Sequence, residues 1–260
     1  MAGSLLTTIR DLHRRRARDR RGLALAEGVR LVEEALAARV PIRGAAVAPG
    51  LEGTPRGSAL KSALERAGVR VESVSDAVLE TLADTEQPQG VVAVIEPREW
   101  RLEDIEPAPD RPVLVLDAVQ DPGNVGTILR TALGLGGAGV VALKGTADLH
   151  NAKVLRGSMG ALFRLPAVAA DGADYLAWAK SAGVETWVTA ADGEPLSKRT
   201  GAHRPRAPIA LVLGNEGAGV GAALSAAAHR RVAIPLGPGV ESLNVAVAAG
   251  ILLYEVTRGV

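Results

Sequence analysis

The second half of the chain alternates short apolar runs with amphipathic stretches, and this pattern constrains the fold more than any other feature. Runs rich in Val, Leu and Ile occur at 113–116, 140–143, 184–189, 209–213 and 232–234. Apolar strands that alternate with helices are typical of a mainly parallel sheet covered on both faces. The sequence therefore predicts an α/β fold for this region, closed by an apolar helix over 243–257.

The first 97 residues predict a smaller α/β unit that begins with a helix over 5–18. Its strands are expected at 23–26, 42–48, 69–74 and 91–95. Residues 96–112 contain four prolines and many charges, a composition typical of a linker. The predicted division is a first domain, 1–97, a linker, 98–111, and a second domain, 112–260.

Composition excludes several classes of protein. The chain has no Cys, which rules out disulfides, iron–sulfur clusters and thiolate zinc sites, and its 4 His residues are scattered. Aromatic residues make up only 2%, which argues against a base-stacking platform. No apolar run approaches the roughly 18 residues of a membrane span, and the first 21 residues lack the pattern of a signal peptide. We expect a cytoplasmic protein without a metal site.

Positive charge is concentrated near the amino terminus although the net charge is only +1. Seven arginines share one short segment: Arg10, Arg14, Arg15, Arg16, Arg18, Arg20 and Arg21. Such a cluster can follow the phosphates of a nucleic acid, because each neutralised phosphate releases counterions. The alternative is a solvated helix face in an arginine-rich protein.

Two polar segments follow predicted strands of the second domain, where α/β proteins place their sites. Residues 117–130 carry Asn124, expected to cap a helix over 125–136, and Arg130 further along that helix. Residues 211–220 form a glycine-rich loop that contains Asn215 and Glu216. Either segment alone is also compatible with a capped helix or a tight turn.

A third segment, residues 233–249, places a Pro/Gly loop before the last helix. We expect that helix to start near Ser242, with Ser242 or Glu241 as its cap and Asn244 in its first turn.

A dinucleotide-type glycine pattern also occurs, at Gly134, Gly136 and Gly139. A helix precedes it and a strand follows, the reverse of the dinucleotide-binding order, so we interpret it as a helix end and turn.

Together, the three segments resemble the SpoU/TrmH family of RNA ribose 2′-O-methyltransferases in the SPOUT superfamily. The first matches N-x-G-x-x-x-R at Asn124, Gly126 and Arg130; the second matches L-G-N-E-G-x-G at 213–219; the third matches the I-P…S-L-N-V-x-V-A-A-G pattern at 234–250. Residues 25–30 after the basic helix are similar to the family's ribosomal-protein-like RNA-binding domain.

The resemblance implies a SPOUT α/β fold with a deep carboxy-terminal trefoil knot. It also implies S-adenosyl-L-methionine as cofactor, held by loops of the second and third segments, and a reaction that needs no metal. The implied cofactor residues are Leu213, Gly214, Asn215, Gly217, Ile234, Leu236, Ser242, Leu243 and Asn244.

The same resemblance assigns catalytic roles and partners. Arg130 would hold the target ribose, and a guanidinium suits phosphate binding and alkoxide stabilisation better than proton abstraction. Asn124, Glu216, Ser242 and Asn244 would position it or the hydroxyl. A homodimer is implied, with helix 243–257 as an interface element. The substrate would be 23S ribosomal RNA; tRNA, or RNA binding without catalysis, remain the alternatives.

The arginine segment yields a first prediction. We expect the R14A/R15A/R16A variant to bind RNA more weakly and with a shallower salt dependence, because fewer counterions would be released. RNA affinities measured at low and high salt would show this. Unchanged affinity at both would assign the cluster to a solvated face.

Overall fold

The computed structural model describes residues 4–196 and 207–257. The chain forms two compact units. The first combines Met1–Arg98 with His150–Arg164, and the second combines Glu99–Leu149 with Leu165–Val260. The short segment 150–164, which lies inside the second domain of the sequence-based division, therefore packs with the first unit.

Strands and helices alternate along most of the described chain. The strands are β1 (Ala24–Glu27), β2 (Ile42–Val47), β3 (Val71–Ser73), β4 (Val91–Ile95), β5 (Val113–Leu116), β6 (Gly139–Leu143), β7 (Ala167–Ala170), β8 (Glu185–Pro195), β9 (Ile209–Leu213) and β10 (Arg230–Ala233). The helices are α1 (Leu5–Leu12), α2 (Arg15–Arg21), α3 (Val29–Ala37), α4 (Pro49–Glu52), α5 (Pro55–Arg66), α6 (Asp76–Leu82), α7 (Pro122–Gly134), α8 (Ala152–Ser158), α9 (Gly172–Ser181), α10 (Ala222–Ala226) and α11 (Val245–Thr257). Two 3-10 turns, Leu102–Asp104 and Ala161–Phe163, complete the assignment.

A four-stranded mixed sheet organises the first unit, in the order β1-β4-β2-β3. Strand β4 runs antiparallel to both β1 and β2, and β3 is parallel to β2. Apolar side chains from α1, α6 and the sheet, among them Ile9, Leu79 and Val92, fill its core. The fold of this unit thus differs from the mainly parallel arrangement of the second.

Helix α8 packs against β1, and ion pairs fix its segment to the first unit. Arg156 donates to the Glu27 carboxylate at 3.0 Å and to Asp84 at 2.7 Å. Arg164 pairs with Glu34. Since Glu27 is only 5% exposed, its charge needs the guanidinium partner as compensation for burial.

All six strands of the second unit are parallel, in the order β10-β8-β9-β5-β6-β7. Central strands β5, β6 and β9 are buried along their whole length, as apolar runs covered on both faces must be. Tyr175 lies in the core with its hydroxyl 3.0 Å from Thr186 Oγ1, and burial raises the pKa of Tyr175 to about 12.

The proline-rich stretch contributes to the core of the second unit. Ile105 is buried in the apolar cluster beneath the sheet, and Trp100 and Leu102 pack against it. The proline and charge content of residues 96–112 predicts a linker without a core. The structure differs because Trp100, Leu102 and Ile105, the apolar residues among those charges, pack into the core of the second unit.

The sequence located several strands correctly and misplaced others. Strands 91–95, 113–116 and 209–213 are confirmed residue for residue. The helix predicted over 5–18 was wrong beyond residue 12, because Arg14 adopts an extended conformation and starts α2.

The pattern of glycines at 134–139 is a helix end followed by a turn, as predicted. Helix α7 ends at Gly134, Gly136 has a φ of 77°, and β6 begins at Gly139. Among the residues that the structure describes, no helix combines the length and apolar character that a bilayer crossing requires.

Candidate functional site

The three motif segments meet at the carboxyl ends of the strands of the six-stranded sheet. From β5 the chain adds β6 and β7 on one side, and it later adds β8 and β9 on the other, so β5 and β9 flank the point where strand order reverses. A crevice outside the carboxyl ends of two such strands is the usual ligand position in open α/β sheets. Segments 117–130 and 214–221 leave the sheet at this point.

The turn after β5 is held in an unusual backbone conformation. Ala118 has a φ of 56°, which costs a non-glycine residue on the order of 1 kcal/mol. The Ala118 carbonyl accepts a hydrogen bond from Asn215 Nδ2 at 3.0 Å, and Asp117 Oδ2 accepts one from the Gly221 N–H at 2.7 Å. These bonds join the turn to both ends of the loop after β9.

The loop after β9 is braced from within by Asn215. Its Oδ1 accepts from the N–H groups of Gly217 and Ala218, at 2.9 and 3.1 Å. A Cβ at Gly214 would lie 2.2 Å from the Gly219 carbonyl carbon, so the two backbone segments can approach only with glycine there. The Asn215 side chain, predicted as a cofactor contact, is therefore used for loop structure. The sequence carried a signal for this role, because Asn in a glycine-rich turn commonly accepts hydrogen bonds from the backbone about two residues further on.

The capping residues differ from those predicted. Asp121 caps α7, since its Oδ1 accepts from the Asn124 N–H at 2.8 Å, and Asn124 lies within the first turn. Asn244 caps α11 through Oδ1, which accepts from the N–H groups of Ala246 and Val247. Ser242, like Glu241, is exposed in the loop before the helix. Both cap predictions were therefore wrong: the cap of α7 lies three residues before Asn124, and the cap of α11 lies two residues after Ser242.

Because Asn124 is not occupied as a cap, its side chain can join the other two segments. Asn124 Nδ2 donates to Glu216 Oε1 at 2.8 Å, and Asn244 Nδ2 donates to Asn124 Oδ1 at 3.0 Å. An ionised carboxylate only accepts hydrogen bonds, so Glu216 fixes the orientation of the Asn124 amide. The cap of α11 fixes Asn244 independently, because its Oδ1 accepts from backbone N–H groups and its Nδ2 is left to donate to Asn124. We call these three residues the amide–carboxylate chain.

Two other predicted catalytic residues, Arg130 and Ser242, are not part of the amide–carboxylate chain. Arg130 is exposed on α7, and within the described residues it has no hydrogen bond or ion pair. Ser242 is exposed without a hydrogen-bond partner in the same part of the chain. A guanidinium with no internal acid partner can bind an external anion at no cost in broken bonds.

The loop between β10 and α11 has the surface that a nucleoside-like cofactor needs. Leu236 and Val240 are 37% and 51% exposed, and the backbone groups of Leu236 and Leu243 have no partner among the described residues. Apolar surface suits the faces of an adenine, and open N–H and C=O groups suit its edges. Leu213 is buried at the end of β9 and Ile234 is half-buried at the end of β10.

The predicted RNA-contacting arginines do not all face solvent. Arg18 is only 7% exposed and donates to the carbonyls of Leu12 and His13, so it stabilises the turn between α1 and α2. Arg14 and Arg21 pair with Asp11, and Arg15 lies 3.6 Å from Asp19. Arg18 is thus a correction to the predicted surface cluster. Its burial had no signal in the sequence, because nothing distinguishes Arg18 from the six other arginines of this segment.

Metal-binding side chains are not clustered in the described chain. Over residues 4–196 and 207–257, no group of three or more His, Asp or Glu residues has an arrangement that could hold an ion.

Two family matches cover most of the chain. Residues 111–254 match the SpoU rRNA Methylase family, and residues 6–93 match the MRM3-like substrate binding domain. All three motif segments lie within the first match.

Relatives of known sequence or structure cover nearly the whole chain. The 23S rRNA (guanosine(2553)-2′-O)-methyltransferase RlmP of Bacillus subtilis is 37% identical over 247 residues, which span 95% of this chain and 93% of that protein. A crystal structure of an AdoMet-bound rRNA methyltransferase from Sinorhizobium meliloti is 31% identical, with a TM-score of 0.85 over 98% of this chain and 95% of that one. The SpoU methyltransferase AviRb from Streptomyces viridochromogenes, in complex with AdoMet, is 27% identical, with a TM-score of 0.84 and 98% of both chains covered.

The amide–carboxylate chain makes a prediction about charge. In an Asn124→Asp variant, two carboxylates would face each other at hydrogen-bond distance, at a cost of about 1 to 4 kcal/mol between the dielectric of bulk water and that of the protein surface. Repulsion raises the pKa of the pair in the folded state, so the loss of stability grows as pH rises through about 4 to 6 and disappears in acid. Thermal unfolding of variant and wild type across this range would measure it.

The Asn124→Asp/Glu216→Gln double variant is the matched control, because the new amide can again donate across the contact. It should recover most of the stability at neutral pH. A single variant as stable as wild type at every pH would show that the Asn124–Glu216 contact does not form in solution.

Proposed function

We propose that this chain, which belongs to the SpoU rRNA methylase family, transfers a methyl group from S-adenosylmethionine to a ribose 2′-hydroxyl of 23S ribosomal RNA. The observation that carries the proposal is the amide–carboxylate chain, which joins all three motif segments at the strand-order switch point. The names of RlmP and of the AdoMet-bound relatives support the same reaction and cofactor.

The loops after β9 and β10 are the proposed cofactor site. Its residues are Leu213, Gly214, Asn215, Gly217, Ile234, Leu236, Ser242, Leu243 and Asn244. Support comes from the open backbone groups and the exposed apolar side chains of the second loop, and from the internal bracing that fixes the first. When bound, S-adenosylmethionine supplies an electrophilic methyl group on a positively charged sulfur.

Arg130 is the proposed contact to the RNA at the reacting ribose. Its guanidinium remains protonated at any physiological pH, so it can bind an adjacent phosphate, orient the 2′-hydroxyl and stabilise the alkoxide as the proton leaves. Its exposure and its lack of an acid partner among the described residues suit that role.

Asn124, Glu216 and Asn244 are proposed to hold the cofactor loops and the start of α7 in register. A shift of about 1 Å between them would misalign an in-line transfer, which depends on geometry more than on any single group. Ser242 is exposed and lies two residues before Asn244 in the sequence. It is the proposed contact to the cofactor or to the ribose 2′-hydroxyl.

A homodimer built on α11, together with the deep trefoil knot, completes the proposed catalytic fold. Val247, Ile251 and Tyr254 are 52%, 38% and 52% exposed and lie on one helix face, a stripe that a monomer would leave in water. We expect Ile251→Glu to shift the protein towards monomer in sedimentation velocity, because it would bury a charge at the interface. Ala226→Glu, on exposed α10, is the control and should leave the oligomeric state unchanged.

The first unit is proposed to bind the RNA substrate. Its match to a substrate-binding domain supports this role, as do the exposed arginines Arg10, Arg16 and Arg20. The division into an RNA-binding domain, 1–97, a linker, 98–111, and a catalytic domain, 112–260, is part of the proposal, as is a cytoplasmic location.

A methyl-transfer assay tests the function. Purified protein and S-adenosylmethionine labelled in its methyl group would be incubated with unmethylated 23S ribosomal RNA or with tRNA, followed by nucleoside analysis. A labelled 2′-O-methylnucleoside from the ribosomal RNA alone is the expected result. Label in tRNA alone would change the substrate class. No label in either RNA, with no cofactor binding by calorimetry, would leave only the RNA-binding role.

Arg130 gives the sharpest prediction about mechanism. Arg130→Ala should lower kcat by about 100-fold to 1,000-fold, the usual cost of removing one transition-state donor, while cofactor affinity stays near normal. Lys180→Ala removes an exposed positive charge at the end of α9 and should behave as wild type. Full activity of Arg130→Ala would refute the proposed role.

A further inference from the structure

One cleft of the first unit has no role in the chemistry described so far. It has a volume of about 640 Å³ and lies where β1 and β2 end and β4 begins. That volume falls within the usual range for sites that enclose a small ligand. Its lining comes entirely from the first unit, including Arg156 and Met159 of the α8 segment.

Hydrogen bonds and close backbone contacts within the first unit fix the walls of the cleft without a ligand. The Glu27 carboxylate accepts from the N–H groups of Asp84 and Thr85, from the Thr85 hydroxyl and from Arg156. A Cβ at Gly90 would lie 2.5 Å from the Leu51 nitrogen, so any side chain at position 90 would clash with this backbone. A preformed cleft costs little ordering when it binds.

Three polar side chains of the lining form hydrogen bonds within the wall of the cleft. Glu27 is bound as described, and Asp76 Oδ1 accepts from the Gly50 N–H at 3.3 Å. Gln89 Oε1 accepts from the Val29 N–H at 3.1 Å. Glu27 is thus turned into the wall, whereas Asp76 and Gln89 each use one oxygen there.

Two lining side chains differ from these because they remain available. Arg30 and Gln87 are exposed and have no hydrogen bond or ion pair within residues 4–196 and 207–257. Beside them the lining is apolar, with Val29, Leu51 and Pro88. The cleft therefore offers one free cation and one free amide next to an apolar wall, counted over that described part of the chain.

This combination matches an unpaired nucleotide. A nucleobase has two apolar faces and a polar edge that a glutamine amide can read, and its phosphate suits a free guanidinium. Proteins recognise RNA mainly at such unstacked bases in loops and bulges, because the deep groove of the A-form helix is closed to side chains.

We propose that the cleft binds one unpaired nucleotide of the RNA substrate, with Gln87 at the base edge and Arg30 at the phosphate. The proposal rests on the RNA substrate proposed above. It makes the cleft a specificity-determining site, separate from the residues at which methyl transfer takes place.

Crosslinking tests the location directly. The chain has no Cys, so Gln87→Cys introduces a single attachment point for a short photoreactive label. Arg66→Cys is the matched control, since Arg66 is exposed at the opposite end of α5, about 15 Å from the cleft residue Arg56 at 1.5 Å per residue.

On irradiation with 23S ribosomal RNA, the labelled Gln87→Cys protein should crosslink at one or two unpaired nucleotides. The yield should be at least about 10-fold above that of the control, which has no site beneath it. Equal yields, or crosslinks spread over helical RNA, would overturn the proposal.

Kinetics tests the contribution of the two side chains. Arg30→Ala and Gln87→Ala should each raise the KM for RNA, by about 10-fold for the charged contact, with kcat and cofactor affinity unchanged. Arg66→Ala should leave all three constants unchanged. A wild-type KM in both cleft variants would overturn the proposal while the labelled product still supports methyl transfer, and absence of product from wild type would instead refute the function.

Discussion

The hydrogen bonds from Asn124 to Glu216 and from Asn244 to Asn124 are the constraint on which the catalytic unit depends. They connect three segments separated by 92 and 120 residues along the chain. The parallel sheet brings those segments to one edge, but it does not orient their side chains. Glu216, an obligate acceptor, sets one end of this network, and the N–H groups at the start of α11, obligate donors, set the other, so both amides can point only one way.

The strained backbone at Ala118 and the hydrogen bonds within the loop after β9 both depend on Asn215. The left-handed Ala118 is tolerable because Asn215 binds its carbonyl, and the same amide keeps the loop after β9 closed through its oxygen. Asn215 thus couples a strained turn to a glycine-dependent loop. A site assembled from short hydrogen bonds and close backbone contacts holds its geometry without a ligand, as preorganised transfer requires.

Much of this arrangement could be predicted from sequence, and the failures have specific causes. Apolar runs such as Val113–Leu116 gave strand bounds correctly because a buried parallel strand is apolar on both faces. Caps were misassigned because Asp121 and Asn124, or Ser242 and Asn244, are equally good candidates until tertiary contacts select one. Pairing of Asn124 with Glu216 was beyond the reach of a single sequence, because spacing along a chain carries no information about partners across a sheet.

The packing of α8 gives the first unit an unusual chain topology. The polypeptide leaves that unit after Arg98, returns for His150–Arg164 and leaves again, so the two units are joined by three covalent crossings. A fragment ending near residue 98 would lack Arg156, which would leave the buried Glu27 carboxylate without its cation. Recombination or truncation at a single junction therefore cannot separate this unit intact, and any exchange of it between proteins has to carry a second, distant segment along.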